Sequence, residues 1–129
     1  MQTLEIGSVG RVLRLSELTN ESYVAEIQGV DLWATEAVTH YRGDALDEFL
    51  QNLARDWRGW KGERSWQSLE GMLALRASIS TGGAVAFDIS LSTRAYEWRV
   101  ELRLTVENEQ LTQIAARSSA FFEQIGAAT

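Results

Sequence analysis

Three groups of side chains in this sequence have the types and spacing for chemistry. The first is His40, the single histidine, beside Tyr41 and Arg42. Imidazole changes charge nearest neutral pH, yet acid–base work also needs an orienting acid and a reacting partner within reach. No spacing around His40 supplies them, so a surface or capping role accounts for it. The second is the carboxylate set Asp44, Asp47 and Glu48. Oxygen ligands so placed suit a divalent ion, but at a helix start they also offset the dipole with no further assumption. The third runs from Arg55 to Trp66, with three tryptophans and four cations in twelve residues. Cations between aromatics can hold single-stranded nucleic acid by charge and stacking. Core anchoring by Trp57 and Trp66, with arginine stacked on Trp60, explains the same residues. A protein or ligand contact at Trp60 and Trp66 is the remaining reading.

Stepping from these residues to the whole chain narrows the chemistry. The 129 residues are read as one domain, 1–129, able to bury roughly 65 to 70% of the unfolded surface without disulfides or a structural metal. There is no cysteine, which excludes thiolate metal sites and cysteine nucleophiles together. With one histidine, two-histidine metal sites have no ligands. We therefore expect no metal, no cofactor and no enzyme activity. The net charge is −6, which argues against a phosphate-backbone grip, so no nucleic-acid partner is expected. Through Trp57 ten acids face four arginines, and from Arg58 onward eight acids face eight bases, so the first part of the chain carries all of the imbalance. No apolar run is long enough for a bilayer, and the N-terminus lacks a signal-peptide layout. These point to a cytoplasmic protein with no membrane partner.

The elements that must position these residues follow from periodicity. Leu4 and Ile6, then Leu13 and Leu15, alternate around Gly7 and Gly10 as a hairpin. Tyr23, Ala25 and Ile27 share one strand face, and Val30, Leu32 and Ala34 continue it past a bulge or tight turn at Gly29. Gly43-Asp44 predicts a stop and an N-cap for a helix whose stripe is Leu46, Phe49, Leu50, Leu53 and Trp57. Three strands follow: Leu69 to Ile79, Val85 to Leu91 and Trp98 to Val106, an antiparallel meander joined at Thr81-Gly82-Gly83 and across Ser92 to Tyr96. A second helix, capped by Asn108 and stopped by Gly126, buries Leu111, Ile114, Ala115, Ser118, Phe121 or Phe122, and Ile125. The expected fold is α+β: a curved, mostly antiparallel sheet of about six to seven strands with two helices packed on one face.

Several stretches together carry a family resemblance. They are Phe49-Leu50-x-x-Leu53, Asp56-Trp57-Arg58-Gly59-Trp60, Ser68-Leu69-Glu70-Gly71, Val85-x-Phe87-x-Ile89, the strand Trp98 to Val106, and Gln110-Leu111-x-x-Ile114 with Phe121-Phe122. Over about residues 22 to 125 the chain resembles WapI-like bacterial immunity proteins and a related group of uncharacterised bacterial domains. The resemblance implies a protein that binds and neutralises a cognate secreted toxin, and it carries over no catalytic residue.

Joined to the charge split, it implies occlusion of a basic toxin by an acidic surface. The expected contacts are Asp31, Glu36, Asp44, Asp47 and Glu48, with Trp60 and Trp66 beside them. The alternative is a small-molecule-binding module or enzyme using a cleft between helix and sheet.

Overall fold

In a computed structural model that describes residues 2–127, the chain is built twice on one plan: a four-stranded meander and then a helix. The first meander is β1 (Leu4–Ser8), β2 (Arg11–Ser16), β3 (Ser22–Gln28) and β4 (Trp33–Thr39), followed by α1 (Leu46–Arg55). The second is β5 (Arg64–Gln67), β6 (Leu73–Ile79), β7 (Ala84–Ser92) and β8 (Arg99–Glu107), followed by α2 (Gln110–Ala127). Within each sheet the strands pair antiparallel in sequence order.

The α+β class holds, whereas the single sheet of six to seven strands is replaced by two sheets of four. Two physical causes account for the difference. The segment Arg64–Gln67 is too short to show a period in the sequence. In the fold its residues pair with Ala74–Ala77 as a short edge strand. The chain between β4 and β5 is taken up by α1, so no ladder joins the two halves. Nor do both helices cover one sheet: α1 packs on α2 and β5, and α2 packs on α1, β1 and β8.

One core serves both sheets. Period two puts Leu4, Ile6, Leu13, Leu15, Tyr23, Ala25 and Ile27 on the inner face of the first sheet. It puts Leu73, Leu75, Val85, Phe87, Ile89, Leu91, Leu104 and Val106 on that of the second. Leu46, Leu50 and Leu53 of α1, and Leu111, Ile114 and Phe121 of α2, complete the cluster. The helices are also joined by polar bonds. The Gln51 amide donates to the Ala115 carbonyl at 2.7 Å and to Ser119 Oγ at 2.9 Å, and Ser118 Oγ donates to Asp47 Oδ1 at 2.8 Å.

The sheets meet at two corners. At one, the Arg11 guanidinium donates to the Arg103 carbonyl at 3.1 Å, joining the first hairpin to β8. At the other, the Thr39 hydroxyl donates to the Glu70 carboxylate, joining the end of β4 to the turn before β6.

Some inward assignments move outward. Leu69 and Trp98 precede their strands and are exposed, and Val100 and Leu102 are only half-buried. Asp44 does not cap α1; Ala45 is its N-cap. Asn108 donates its side-chain amide to the Trp57 carbonyl at 2.9 Å, while α2 runs through Gly126 to Ala127.

His40 is buried. Its ring stacks on Tyr23 with centroids 5.6 Å apart, its Nδ1 accepts the Gly43 N–H at 2.9 Å, and its Nε2 lies 2.8 Å from the Thr19 carbonyl. The proton therefore belongs on Nε2, and the ring caps backbone at both ends. The Tyr23 hydroxyl is the buried side-chain polar atom without a hydrogen-bond partner among the described residues. Burial, with Asp44 second, pushes its pKa well above the ordinary phenol value.

Two substitutions separate these contributions in chemical denaturation. Leu104→Ala empties a core position and should cost about 2 to 5 kcal/mol. Tyr23→Phe removes a buried hydroxyl that has no partner, so it should leave stability unchanged or raise it by up to about 1 kcal/mol.

Candidate functional site

The chain leaves β4 through a conformation that sequence rarely tolerates. Arg42, Gly43, Asp44 and Ala45 all have positive φ, at 52°, 78°, 54° and 62°. Glycine takes such angles freely, but each of the other three costs on the order of 1 to 2 kcal/mol. A Cβ at Gly43 would also lie 3.1 Å from the Phe122 ring, which would have to shift by a few tenths of an ångström to admit it.

Four polar contacts hold this turn. His40 Nδ1 takes the Gly43 N–H, as above. The Asp44 carboxylate accepts the Tyr41 N–H at 3.0 Å through Oδ1 and the Leu69 N–H at 2.9 Å through Oδ2. The Asp44 carbonyl accepts the Trp66 indole N–H at 2.7 Å.

A single carboxylate thus ties the exit of the first sheet to the turn that opens β6. The consequence is on the surface: Tyr41 and Leu69, whose amides share that carboxylate, are 59% and 62% exposed. Beside them Tyr96, 64% exposed, donates its hydroxyl to the Glu70 carbonyl at 3.2 Å. The Glu70 carboxylate accepts from Arg94 at 3.1 Å as well as from Thr39. Three large side chains are held out to solvent around a salt-bridged glutamate by backbone that is itself pinned. Exposed side chains of this size, two of them aromatic, are what protein contacts are built from.

The seven sequence candidates do not form one surface. Asp31 is exposed at the β3–β4 turn and Glu48 is exposed on α1. Glu36 lies on the inward side of edge strand β4, between Ala34 and Val38, and accepts the Ala37 N–H at 3.0 Å. An inward acid on an edge strand discourages further strand pairing. Asp44 and Asp47 spend their carboxylates on bonds inside the chain, Asp47 on Gln51 and Ser118.

Trp60 and Trp66 are half-buried against the core. The Trp60 indole N–H points at the Ala77 carbonyl at 3.4 Å, with the Arg64 guanidinium over its ring at 5.2 Å. The core-anchor role first assigned to Trp57 and Trp66 therefore extends to Trp60. Tyr41, Leu69, Glu70 and Tyr96 were missed. The available signal was a hydrophobic residue, Leu69, in the turn-rich stretch Ser68-Leu69-Glu70-Gly71, and Tyr96 flanked by Arg94 and Glu97.

Two charge networks mark the outer faces. On the first sheet Arg14 bridges Glu5 at 2.5 Å and Glu26 at 2.7 Å, across adjacent strands. Glu26 also accepts the Trp33 indole N–H at 2.5 Å; that bond first, and Arg14 after it, hold its pKa below the ordinary carboxylate value. On the second sheet Arg103 grips Asp88 with two bonds, at 2.7 and 2.9 Å, which lowers the Asp88 pKa. Beside Asp88 is an open groove of about 690 Å³, lined among others by Ala74, Arg76, Ser90 and Glu101. It lies on the outside of the second sheet, away from the helices.

A family model covers residues 6–125 of the chain. The chain belongs to DUF6228, a family of unknown function. No curated protein matches it. Among solved structures the DUF6228 chain is similar to the plant transcriptional regulator PBF-2, with a TM-score of 0.52 and 8% identity. The match covers 93% of this chain and 79% of that one. At that identity the likeness is one of fold. Among the described residues, no helix of the DUF6228 chain is long and apolar enough to cross a membrane.

The turn gives a direct test. Asp44→Ala removes two charge-assisted bonds to exposed backbone N–H groups, which water can then satisfy, and should cost about 1 to 2 kcal/mol in denaturation. Hydrogen exchange at the Tyr41 and Leu69 amides should accelerate. Protection unchanged at both amides would show that the carboxylate does not hold the turn.

Proposed function

We propose that this DUF6228 protein is an immunity protein, an antitoxin that neutralises a cognate bacterial toxin by covering it. The observation that carries the reading is the rigid presentation of Tyr41, Leu69 and Tyr96 around Glu70. Contact surfaces draw their affinity from a few well-positioned aromatic and aliphatic side chains. A surface ordered before the partner arrives also loses less entropy on binding. The resemblance of the chain to WapI-like immunity proteins supplies the class of partner, a protein toxin met in the cytoplasm.

The acidic half of the chain then has a different task. Asp44 holds the backbone of this surface and Asp47 joins the two helices, while the exposed Asp31 and Glu48, with the net charge of −6, attract a basic toxin over distance. Affinity and steering are thereby divided between different residues. The proposal needs no catalytic group in the protein, since occlusion blocks the toxin's active surface by contact alone.

Binding kinetics with a basic toxin domain, if one is encoded beside this gene, test the division. Tyr96→Ala together with Leu69→Ala should weaken binding by about tenfold or more, almost wholly through faster dissociation. Asp31→Lys with Glu48→Lys should slow association several-fold at low salt and have little effect at high salt. Full affinity in the Tyr96/Leu69 variant would overturn this surface, and failure of the wild type to protect cells expressing that toxin would overturn the function.

A further inference from the structure

The outer face of the second sheet holds a groove away from the helices, whose far end reaches Leu69, Glu70 and Tyr96 of the surface described above. Strand register puts Ser65, Arg76, Asp88 and Arg103 in one row across β5 to β8, and Gln67, Ala74, Ser90 and Glu101 in the next. The middle of the second row is small, so the taller neighbours stand around it. Beyond it, the residues that join β7 to β8 close over the sheet, where Tyr96 reaches the Glu70 carbonyl. The result is the groove of about 690 Å³, continued toward Tyr96 by a further space of about 380 Å³ that shares Gln67, Ala74, Ser90 and Arg99. This is within the size range of small-ligand sites, but its lining is polar where such sites are usually apolar.

The charges of the lining select the ligand. Asp88 is fully engaged by Arg103, and Glu101 pairs with Arg99 at 3.0 Å. Arg76 faces Asp88 across the β6–β7 ladder and makes no ion pair among the described residues. Three guanidinium groups against two carboxylates leave one positive charge over, in a chain whose net charge is −6. An apolar occupant would strip water from five charged side chains in exchange for limited apolar contact with Trp66, Ala74 and Leu102. A cation meets only carboxylates that are already neutralised. A bare anion satisfies Arg76 but leaves the hydrogen-bonding capacity of Gln67, Ser90 and Glu101 unused.

We propose that this groove binds a hydroxylated organic acid of the sugar-acid class. Its carboxylate lies on Arg76, in the forked geometry that guanidinium favours. Its hydroxyl groups bond to Gln67, Ser90 and Glu101, the amide and hydroxyl both giving and accepting and the carboxylate accepting. Ala74 at the floor lets the ring approach the sheet closely.

The test is titration of the labelled, full-length protein with trigalacturonate, uncharged galactotriose and acetate, followed by amide NMR and calorimetry. Saturable binding of trigalacturonate at or below about 1 mM is expected, with the shifts centred on Ala74, Arg76 and Ser90. Galactotriose and acetate should each bind about tenfold more weakly or worse. Arg76→Gln should lose about tenfold in trigalacturonate affinity while the amide spectrum elsewhere stays native, and Arg117→Gln on α2 should change nothing. Absence of saturable binding, equal affinity for the charged and uncharged trisaccharides, acetate binding as well as trigalacturonate, or full affinity in Arg76→Gln would each overturn the proposal. Arg76 lines only the main groove and not the part that reaches Leu69 and Tyr96, so Arg76→Gln tests this site while the Tyr96/Leu69 variant tests the toxin contact.

Discussion

Much of this structure depends on what the Asp44 carboxylate accepts. Its two oxygens take backbone amides from opposite halves of the chain, Tyr41 after β4 and Leu69 before β6, and its carbonyl takes the indole of Trp66 on β5. The two sheets share no ladder, so their relation rests on the common core and on a few polar ties at their corners. Hydrophobic burial drives the sheets together without choosing a particular angle or register, because it has no direction. Directed bonds at a corner do choose. The same turn stores backbone strain in three residues other than glycine, and the bonds made by Asp44 and His40 offset it. Directed bonds of this kind fix the course of a turn whose backbone is otherwise strained.

The repeated plan of meander and helix explains why two cores are not formed. Each four-stranded sheet has one apolar face too large for its own helix to cover, so the faces close on each other with α1 and α2 between their margins. The outer faces remain in water, and both carry cross-strand ion pairs: Glu5, Arg14 and Glu26 on the first sheet, Asp88 and Arg103 on the second. At exposed positions such pairs add little stability. Their effect is to decide what each face can meet. On the first sheet two glutamates share one arginine, whereas the second holds Arg76, which makes no ion pair among the described residues, beside a floor of small residues.

The seven residues first considered for contact divide according to surroundings that only the fold provides. Asp44 and Asp47 have the same composition signal as Glu48, yet they point inward to Leu69 and Ser118 while Glu48 remains exposed. Trp60 and Trp66 stand in a segment rich in cations but lie against the core. A charge count along the chain describes the long-range field correctly, because the field sums over residues regardless of partners. It cannot name contact residues, because hydrogen bonding inside the protein removes some of them from the surface.

Local period was enough to determine the strands β1, β2, β3, β7 and most of β6 and β8, the buried stripes of both helices, the α+β class and the matched inward faces. Each of these depends on side chains a few residues apart, and alternation or a spacing of three to four is written directly in the chain. The single edge strand β5 was too short for a period to show, and Trp98 and Leu69 continued an alternation that had already left the sheet. Only the tertiary structure decided that the strands form two sheets, that His40 is a buried cap, that Asp44 ties Tyr41 to Leu69, and that Arg76 stands unpaired beside Ser90. Those outcomes join residues far apart in sequence, where the pairing is set by which surfaces close together and which polar groups must find partners once water is excluded.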